Sequence, residues 1–535
     1  MSKASGHSAA DPAAAAAPPP KASGKAWAIL GAMGFGALIA QAFSTVIGPA
    51  LPTIKGDLGL SLSAQTWTIT SYSLAFGAGL VAGGRLGDLI GEVRMILIGY
   101  AIFLGGLLLA ALAAGGGSLI TGRTIQGIGI GISAPATLSI VVNSFPLLRR
   151  GFAVGVWGFA HGFGLLVGPI FAGYMLELLD WRWIFWLSIP FTLAVILVTI
   201  AATRGYQSVR ASGSYDIPGL IVGGLGITLV TYGLQNASNG WGLPATWGTL
   251  VAGLILLGIF AVIELKVKHP LVDFSLWRER LFSGGFFAES AVGFVYIPML
   301  TFVGSLFFIE VLGFSPVKAS WVIVITTGTC MVLEPPAGKW VDRVGPGIPV
   351  AVSLLMQGVA LLWIGLTFHP DTTIAQAIIP LALMGAGVGI ALPACNTAGM
   401  SAVDAKRAGM GSGLMQMTFN IPAALGIAVV TSIIGTLSAS KVRNAVDGKY
   451  EQQAVNYIAA LQDGDSATAK KIADSLPADA ADALQNAAIA ATSTGTDTGM
   501  IVLGFVALAG GVMAWFVIGR RRTPDHLEVT EAAEL

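Results

Sequence analysis

Fourteen runs of roughly twenty apolar residues recur along this chain, more than a water-soluble fold of its length can bury. A helix needs about 20 such residues to cross the hydrocarbon core of a bilayer. The runs fall at 27–50, 66–87, 94–114, 118–141, 151–176, 183–203, 216–235, 245–264, 282–308, 316–337, 347–368, 373–397, 409–437 and 498–519. Charge supports the same conclusion. Only 11% of the 535 residues are charged and 54% are hydrophobic, whereas soluble domains carry about 25% charge. The 71 glycines show no collagen period and suit close helix packing in lipid. The pattern predicts an all-α polytopic membrane protein.

The formal net charge of +1 says little, but its distribution orients the chain. Basic residues gather in alternate connections: Arg85 with Arg94, Arg149 with Arg150, Lys339 with Arg343, Lys406 with Arg407, then Arg520, Arg521 and Arg522. The other connections hold chiefly Lys55, Arg182 and Lys318. The positive-inside bias therefore puts the N-terminus in the cytoplasm, and an even number of spans returns the C-terminus there. Residues 1–26 lack the apolar core of a signal peptide and read as a disordered cytoplasmic tail, with a second tail at 520–535. The segment 438–497 is polar and Ala-rich, with Val446, Tyr450, Val455, Ile458 and Leu461 at near-helical spacing. It is expected to form short amphipathic helices outside the membrane, as a cap, a lid or a protein-docking element.

Catalytic signatures are missing. There is no GxxxxGK[ST] phosphate loop, no HExxH, and no metal-ligand spacing around Cys330 or Cys395. Neither an enzyme, a metal, a bound cofactor nor a nucleic-acid partner is expected.

Two connections repeat one another. "GGRLGDLIG" at 83–91 and "AGKWVDRVG" at 337–345 both read small-Gly-basic-x-x-Asp-x-x-Gly. The repeated residues are Gly84, Arg85, Asp88 and Gly91 in the first, and Gly338, Lys339, Asp342 and Gly345 in the second, which adds Arg343. Each Asp can sit on the free N–H groups of a helix start, or bind an Arg on a neighbouring helix end. Either contact would act as a latch between parts that move. The repeat implies an internal duplication. Prolines in or beside the spans, such as Pro135, Pro298, Pro335, Pro393 and Pro422, bend helices and suit halves that rock against each other.

These motifs resemble the major facilitator superfamily, in its fourteen-helix drug:proton antiporter branch. "LITGRTIQGIGIGISAP" resembles that family's fourth-helix motif, and "GFAHGFGLLVGPIFAG" its fifth-helix antiporter signature, here Gly158, Gly162, Gly164, Gly168, Pro169 and Gly173. "DWRWIFWLSIP" and "VLGFSPVKAS" resemble two further family segments, and the likeness covers about 27–520. The resemblance implies two six-helix bundles, at 27–203 and 282–519, around a central cavity, with two additional transmembrane helices between them at 216–264. It also implies a role for Arg123 in proton coupling or gating. The chain departs from the family at Leu89, Glu92 and Val93 in the first motif, at Phe43 where drug-exporting relatives carry an Asp, and at "GLMQMTFNIPAALG", which holds no acid.

Glu289 lies about two turns into the ninth span, where apolar surroundings would let it pick up a proton near neutral pH. An ion pair with a loop Arg is the competing reading. Glu334 can pair with Lys339 or Arg343 or carry a proton, and His161 can relay one or hydrogen-bond across a packed interface. Glu310 is a weaker carrier. Gln41, Phe43, Tyr72, Gln126, Asn143, Trp157, Asn396, Gln416 and Asn420 are candidate cavity residues, each of which could equally serve helix packing. The expectation is a proton-coupled exporter of small amphiphiles in a bacterial cytoplasmic membrane, acting by alternating access as a monomer among membrane lipids. A dedicated exporter of one endogenous metabolite or lipid, and a non-transport membrane sensor or enzyme, stay open.

Overall fold

A computed structural model describes residues 22–519 apart from 61, 147–148, 209, 212–215, 238–243, 269, 315, 446–449 and 463–465. Residues 1–21 and 520–535 of the two expected tails, Val446, and the side chains of Pro169 and Glu310 lie outside the described residues. Among the described residues the chain is helical without strands.

The first half holds α1 (Gly24–Thr45), α2 (Ile47–Leu58), α3 (Leu62–Ile90), α4 (Glu92–Ala111), α5 (Gly116–Ser144), α6 (Arg150–Leu178), α7 (Trp183–Trp186) and α8 (Ser188–Ala202). A hairpin follows, of α9 (Ile217–Ala237) and α10 (Pro244–Lys266). The second half holds α11 (Arg280–Thr301), which runs into a π-helical stretch at Phe302–Val311 just after Pro298. Then come α12 (Pro316–Val344), α13 (Gly347–Thr367), α14 (Ile374–Ser401), α15 (Ala408–Ala445), the short α16 (Glu451–Gln462) and α17 (Ser466–Asp474), and α18 (Ala478–Ile518). A helix covers each of the fourteen predicted spans. Helix starts follow local chemistry: Ser23 Oγ accepts from Ala26 N at 3.1 Å, and Thr373 and Gln376 form a capping box.

Twelve helices among the described residues are long and apolar enough to cross a membrane, so this is a multi-pass membrane protein. The other two predicted spans, α3 and α12, are 29 residues each and carry the repeated charged motifs at their ends. Each half has its own apolar core: Phe103, Leu107, Val141 and Phe185 belong to one, and Val292, Phe307, Leu361 and Leu503 to the other. The 438–497 segment is not separate from the spans. Alanine, the strongest helix former, lets α15 and α18 run on into it, and α16 and α17 bridge them. A small core of Ala454, Tyr457, Ala473 and Leu484 holds that cap together.

The halves meet by a twofold rule. The second span of each half packs on the fifth span of the other: α3 on α15, and α12 on α6. Both crossings need glycine. A Cβ on Gly84 would stand 2.7 Å from the Gly409 carbonyl oxygen, and one on Gly338 would strike the Gly151 carbonyl. The repeated aspartates lock these crossings. Asp88 Oδ1 and Oδ2 accept from Gly409 N (2.7 Å) and Met410 N (2.9 Å), the start of α15. Asp342 Oδ1 and Oδ2 accept from Gly151 N (2.8 Å) and Phe152 N (2.9 Å), the start of α6. In both cases a carboxylate takes the free N–H groups and the positive end of the helix dipole. Gly91 and Gly345, the last residues of the two motifs, have φ of 99° and 83°, a conformation that only glycine adopts without strain. Ser412 Oγ adds a bond to the Pro135 carbonyl oxygen at 2.7 Å.

At the far end, charge ties the first half to itself. Asp57 accepts from Trp181 Nε1 (3.0 Å) and from Arg182 (2.8 Å), and Arg182 also donates to the Ala113 carbonyl. The hydrogen bonds from Trp181 and then Arg182 hold the Asp57 carboxyl below its ordinary range. At the motif end the two capping aspartates and the Ser412 hydroxyl bridge the halves. Replacing either by Ala leaves two helix-start N–H groups without an acceptor, at about 1–2 kcal/mol, which is roughly a 5–30-fold shift in population. In a background lacking Cys330 and Cys395, an Ala134→Cys probe in the cavity should react several-fold faster with an impermeant maleimide added at the motif end in D88A or D342A. Unchanged labelling would mean that the aspartates do not hold this end shut.

Candidate functional site

A cavity of about 2170 Å³ opens between the halves. It reaches Lys55 of α2 and Asn456 and Thr468 of the cap at the far end, and no residue of the two motif connections lines it. Gly-rich stretches of α1, α3 and α6 and the proline-containing α14 and α15 bring side chains of both halves to its walls.

Glu289, His161, Glu334, Gln41, Tyr72, Trp157, Asn396, Gln416 and Asn420 all line it. Glu289 of α11 is buried, and its Oε1 accepts from Asn396 Nδ2 at 3.0 Å, while Oε2 has no protein partner. Glu334 of α12 is buried against Gly158, with Cys330 Sγ 3.5 Å from Oε1 and no protein partner for Oε2. No ion pair among the described residues involves either acid. The expected pairing of Glu334 with Lys339 or Arg343 is not formed. At about 100° per residue, positions five and nine further along the helix point to other faces. Lys339 Nζ instead lies over the Phe152 ring at 4.8 Å, and Arg343 is exposed. The loop Arg considered for Glu289 is replaced by the Asn396 amide.

Other polar atoms on the cavity walls also lack protein partners: Trp157 Nε1, Asn396 Oδ1 and Gln416 Nε2. Buried polar groups are rarely left unpaired in a packed core. Their convergence on one cavity, amid apolar walls, is the signature of a small-molecule site.

Three expected cavity residues lie elsewhere. Phe43 packs edge-on to Phe103 at 5.2 Å within the first half. Gln126 is fully buried, with Nε2 on the Gly106 carbonyl oxygen at 3.1 Å. Asn143 donates to Glu92 at 3.1 Å and ties α5 to α4. The Gln126 and Asn143 amides satisfy helix contacts, and the Phe43 ring packs in the first-half core, instead of facing the cavity. Glu92, the departure from the family motif, thus serves α4–α5 packing.

Arg123 is 1% exposed and does not snorkel. Its guanidinium donates to the Phe43 carbonyl (3.3 Å), the Thr68 carbonyl (3.3 Å) and Gln126 Oε1 (2.8 Å), and it faces the Tyr72 ring at 4.3 Å. Among the described residues no carboxylate forms an ion pair with it. It sits just behind the cavity wall formed by Tyr72, where a cation without an ion partner sets the local field.

The antiporter-signature glycines of α6 serve two interfaces. Gly158 admits Glu334, and Gly164 and Gly168 admit the Leu38 and Ala42 carbonyls of α1. Gly162 has ordinary contact with Met331, and Gly173 faces open space. Of the gating motif, Arg85 is buried with Nε unpartnered, beside the Asp88 cap. Sequence reading missed Cys330 as the neighbour of Glu334. It also missed Trp67 and Tyr232, aromatic cavity residues on α3 and α9. Aromatics in an apolar span carry no signal of the direction they face.

A profile described as Major Facilitator Superfamily matches residues 33–427. The chain is 27% identical to the tetracenomycin C resistance and export protein of Streptomyces glaucescens, over 94% of this chain and 93% of that protein. It is 30% identical to the puromycin resistance protein of Streptomyces alboniger, over 73% and 78%. It is 27% identical to the multidrug resistance protein Stp of Mycobacterium tuberculosis, over 76% of each. Its fold is that of a double Trp mutant of XylE, with a TM-score of 0.60 at 14% identity, covering 93% of this chain and 97% of that one. With two bundles, a cavity between them and latches repeated across the seam, the chain belongs to the Major Facilitator Superfamily of transporters.

Proposed function

We propose that this protein exports small amphiphilic compounds in exchange for protons, by alternating access. The observation that carries the reading is Glu289: a buried acid on the wall of a cavity between the halves, with the Asn396 amide on one oxygen, the Thr418 hydroxyl beside it and no cation among the described residues. Such a group is stable only when it holds a proton or the positive end of a cargo. Alternation between the two is antiport. Glu334 offers a second carboxyl on the same wall, and Arg123 behind Tyr72 tunes the field they share. With the motif end at the cytoplasmic face, as the basic residues orient it, the described state faces outward, ready to release cargo and take a proton. One proton moving inward across 100 mV supplies about 2.3 kcal/mol. The relatives named for drug resistance and export support the direction and the cargo class.

A carrier dedicated to one metabolite is the second reading, favoured by relatives named for a single compound each. A panel of unrelated amphiphiles separates the two: a broad exporter moves many of them and a dedicated carrier one.

The coupling is tested with purified protein in sealed liposomes containing a pH dye. Cargo should drive proton movement in wild type, and E289Q should abolish it and weaken binding of cationic cargo. Cargo flux without proton movement in wild type would refute antiport. Arg123→Lys should lose at least about tenfold in coupled flux, because one ammonium cannot reach both carbonyls and Gln126 from a single stem. Wild-type flux in R123K would reduce Arg123 to a generic charge.

A further inference from the structure

The α9–α10 hairpin is asymmetric in its surroundings. Trp247, Leu254, Ile255 and Leu265 of α10 are exposed and face outward. α9 lies inside α10 and packs closely on it through glycine: a Cβ on Gly226 would meet Leu257, and one on Gly233 would meet Leu250. The other sides of α9 touch both halves. It packs on α3 and α15, with Val230 and Leu234 clustered against Ile421 and Ala424 of α15. Ile227, Thr231 and Leu234, at i, i+4 and i+7, form one helical stripe that lines the central cavity, joined by Tyr232. α9 therefore closes the slot between α3 and α15 beyond the glycine crossing at Gly84 and Gly409.

Three aromatic pairs on the first-half and α9 side of this cavity are stacked, whereas Tyr296 and Phe419 on the second-half side are tilted by 57°. Trp67 and Tyr232 stack with centroids 5.6 Å apart and planes 14° apart. Tyr72 with Phe76 (2°) and Trp157 with His161 (26°) are stacked as well, and all six side chains line the cavity. Pairs inside the first-half core, such as Phe43 with Phe103 and Trp181 with Phe185, meet edge to face. Flat paired rings on a cavity wall offer broad faces to another flat ring.

We propose that α9 is a wall of the cargo site, and that Trp67 and Tyr232, with Thr231 beside them, form a shelf for the planar fused-ring part of an aromatic amphiphile. This rests on the transport reading above but concerns binding alone, so it is tested without a proton gradient. Purified full-length protein in detergent is titrated with acridine orange, a planar fluorescent dye, and with dodecyltrimethylammonium as a non-planar amphiphile that displaces it or quenches tryptophan.

Tyr232→Ala should weaken dye binding about three- to tenfold and leave the alkyl amphiphile unchanged. Tyr232→Phe should keep wild-type affinity for both. Thr231→Trp, which fills the wall, should weaken both. Thermal melting of each variant separates loss of the shelf from loss of the fold. If folded Y232A and T231W bind both probes as wild type does, α9 is peripheral and the proposal is overturned. Equal weakening of both probes in Y232A, or a wild type that does not bind the dye, overturns the planar shelf. Failure of proton coupling in liposomes with the dye pattern intact would refute antiport alone.

Discussion

Two carboxylates seated on the starts of two helices hold the described state together. Asp88 and Asp342 each reach across the seam to the opposite half and accept from consecutive backbone N–H groups. A helix start is a fixed partial positive charge, and a carboxylate is among its best partners. The rest of the architecture follows from keeping that contact. Glycines at 84, 151, 338 and 409 let the backbones come close enough, and positive-φ glycines at 91 and 345 turn the chain immediately afterward. With this end shut, the polar side chains on the inner faces of both bundles converge on a cavity open toward the other end.

The division of polar groups within the membrane follows from the same constraint. Two that pack inside the first half have protein partners: Gln126 binds a carbonyl and Asn143 binds Glu92. Those on the cavity wall keep free valences, as at Glu289, Glu334, Asn396 and Gln416. Arg123 stands on the boundary, its donors taken up by carbonyls and Gln126, its charge felt through a tyrosine ring.

Much of this was readable in the residues. A helix stands at each of the fourteen predicted spans, and twelve of these, among the described residues, are long and apolar enough to cross, because a bilayer imposes one length on every crossing. The duplication was visible in the repeated Gly-basic-x-x-Asp pattern, and so was the idea of a latch. Which way a polar residue faces was not. Gln126 and Asn143 looked like Glu289 and Asn396 in sequence, since helices that are apolar all round carry no stripe to fix their rotation. The pairing of Glu334 with Lys339 failed for a related reason: proximity along the chain does not survive projection onto a helix. The place of α9 beside the cavity depends on contacts with α3 and α15, which are remote in the chain.

The receiving side of each latch consists of main-chain N–H groups, so it is not encoded by any particular side chain. Residues 410 and 152 can vary without changing the chemistry offered to the aspartate, as long as they remain the start of a helix. Selection there acts on volume, and it acts chiefly on Gly151 and Gly409, where a methyl group would collide with the aspartate it is meant to receive. A duplicated ancestor could therefore diverge widely in its two halves and still keep both latches, one retained carboxylate at a time.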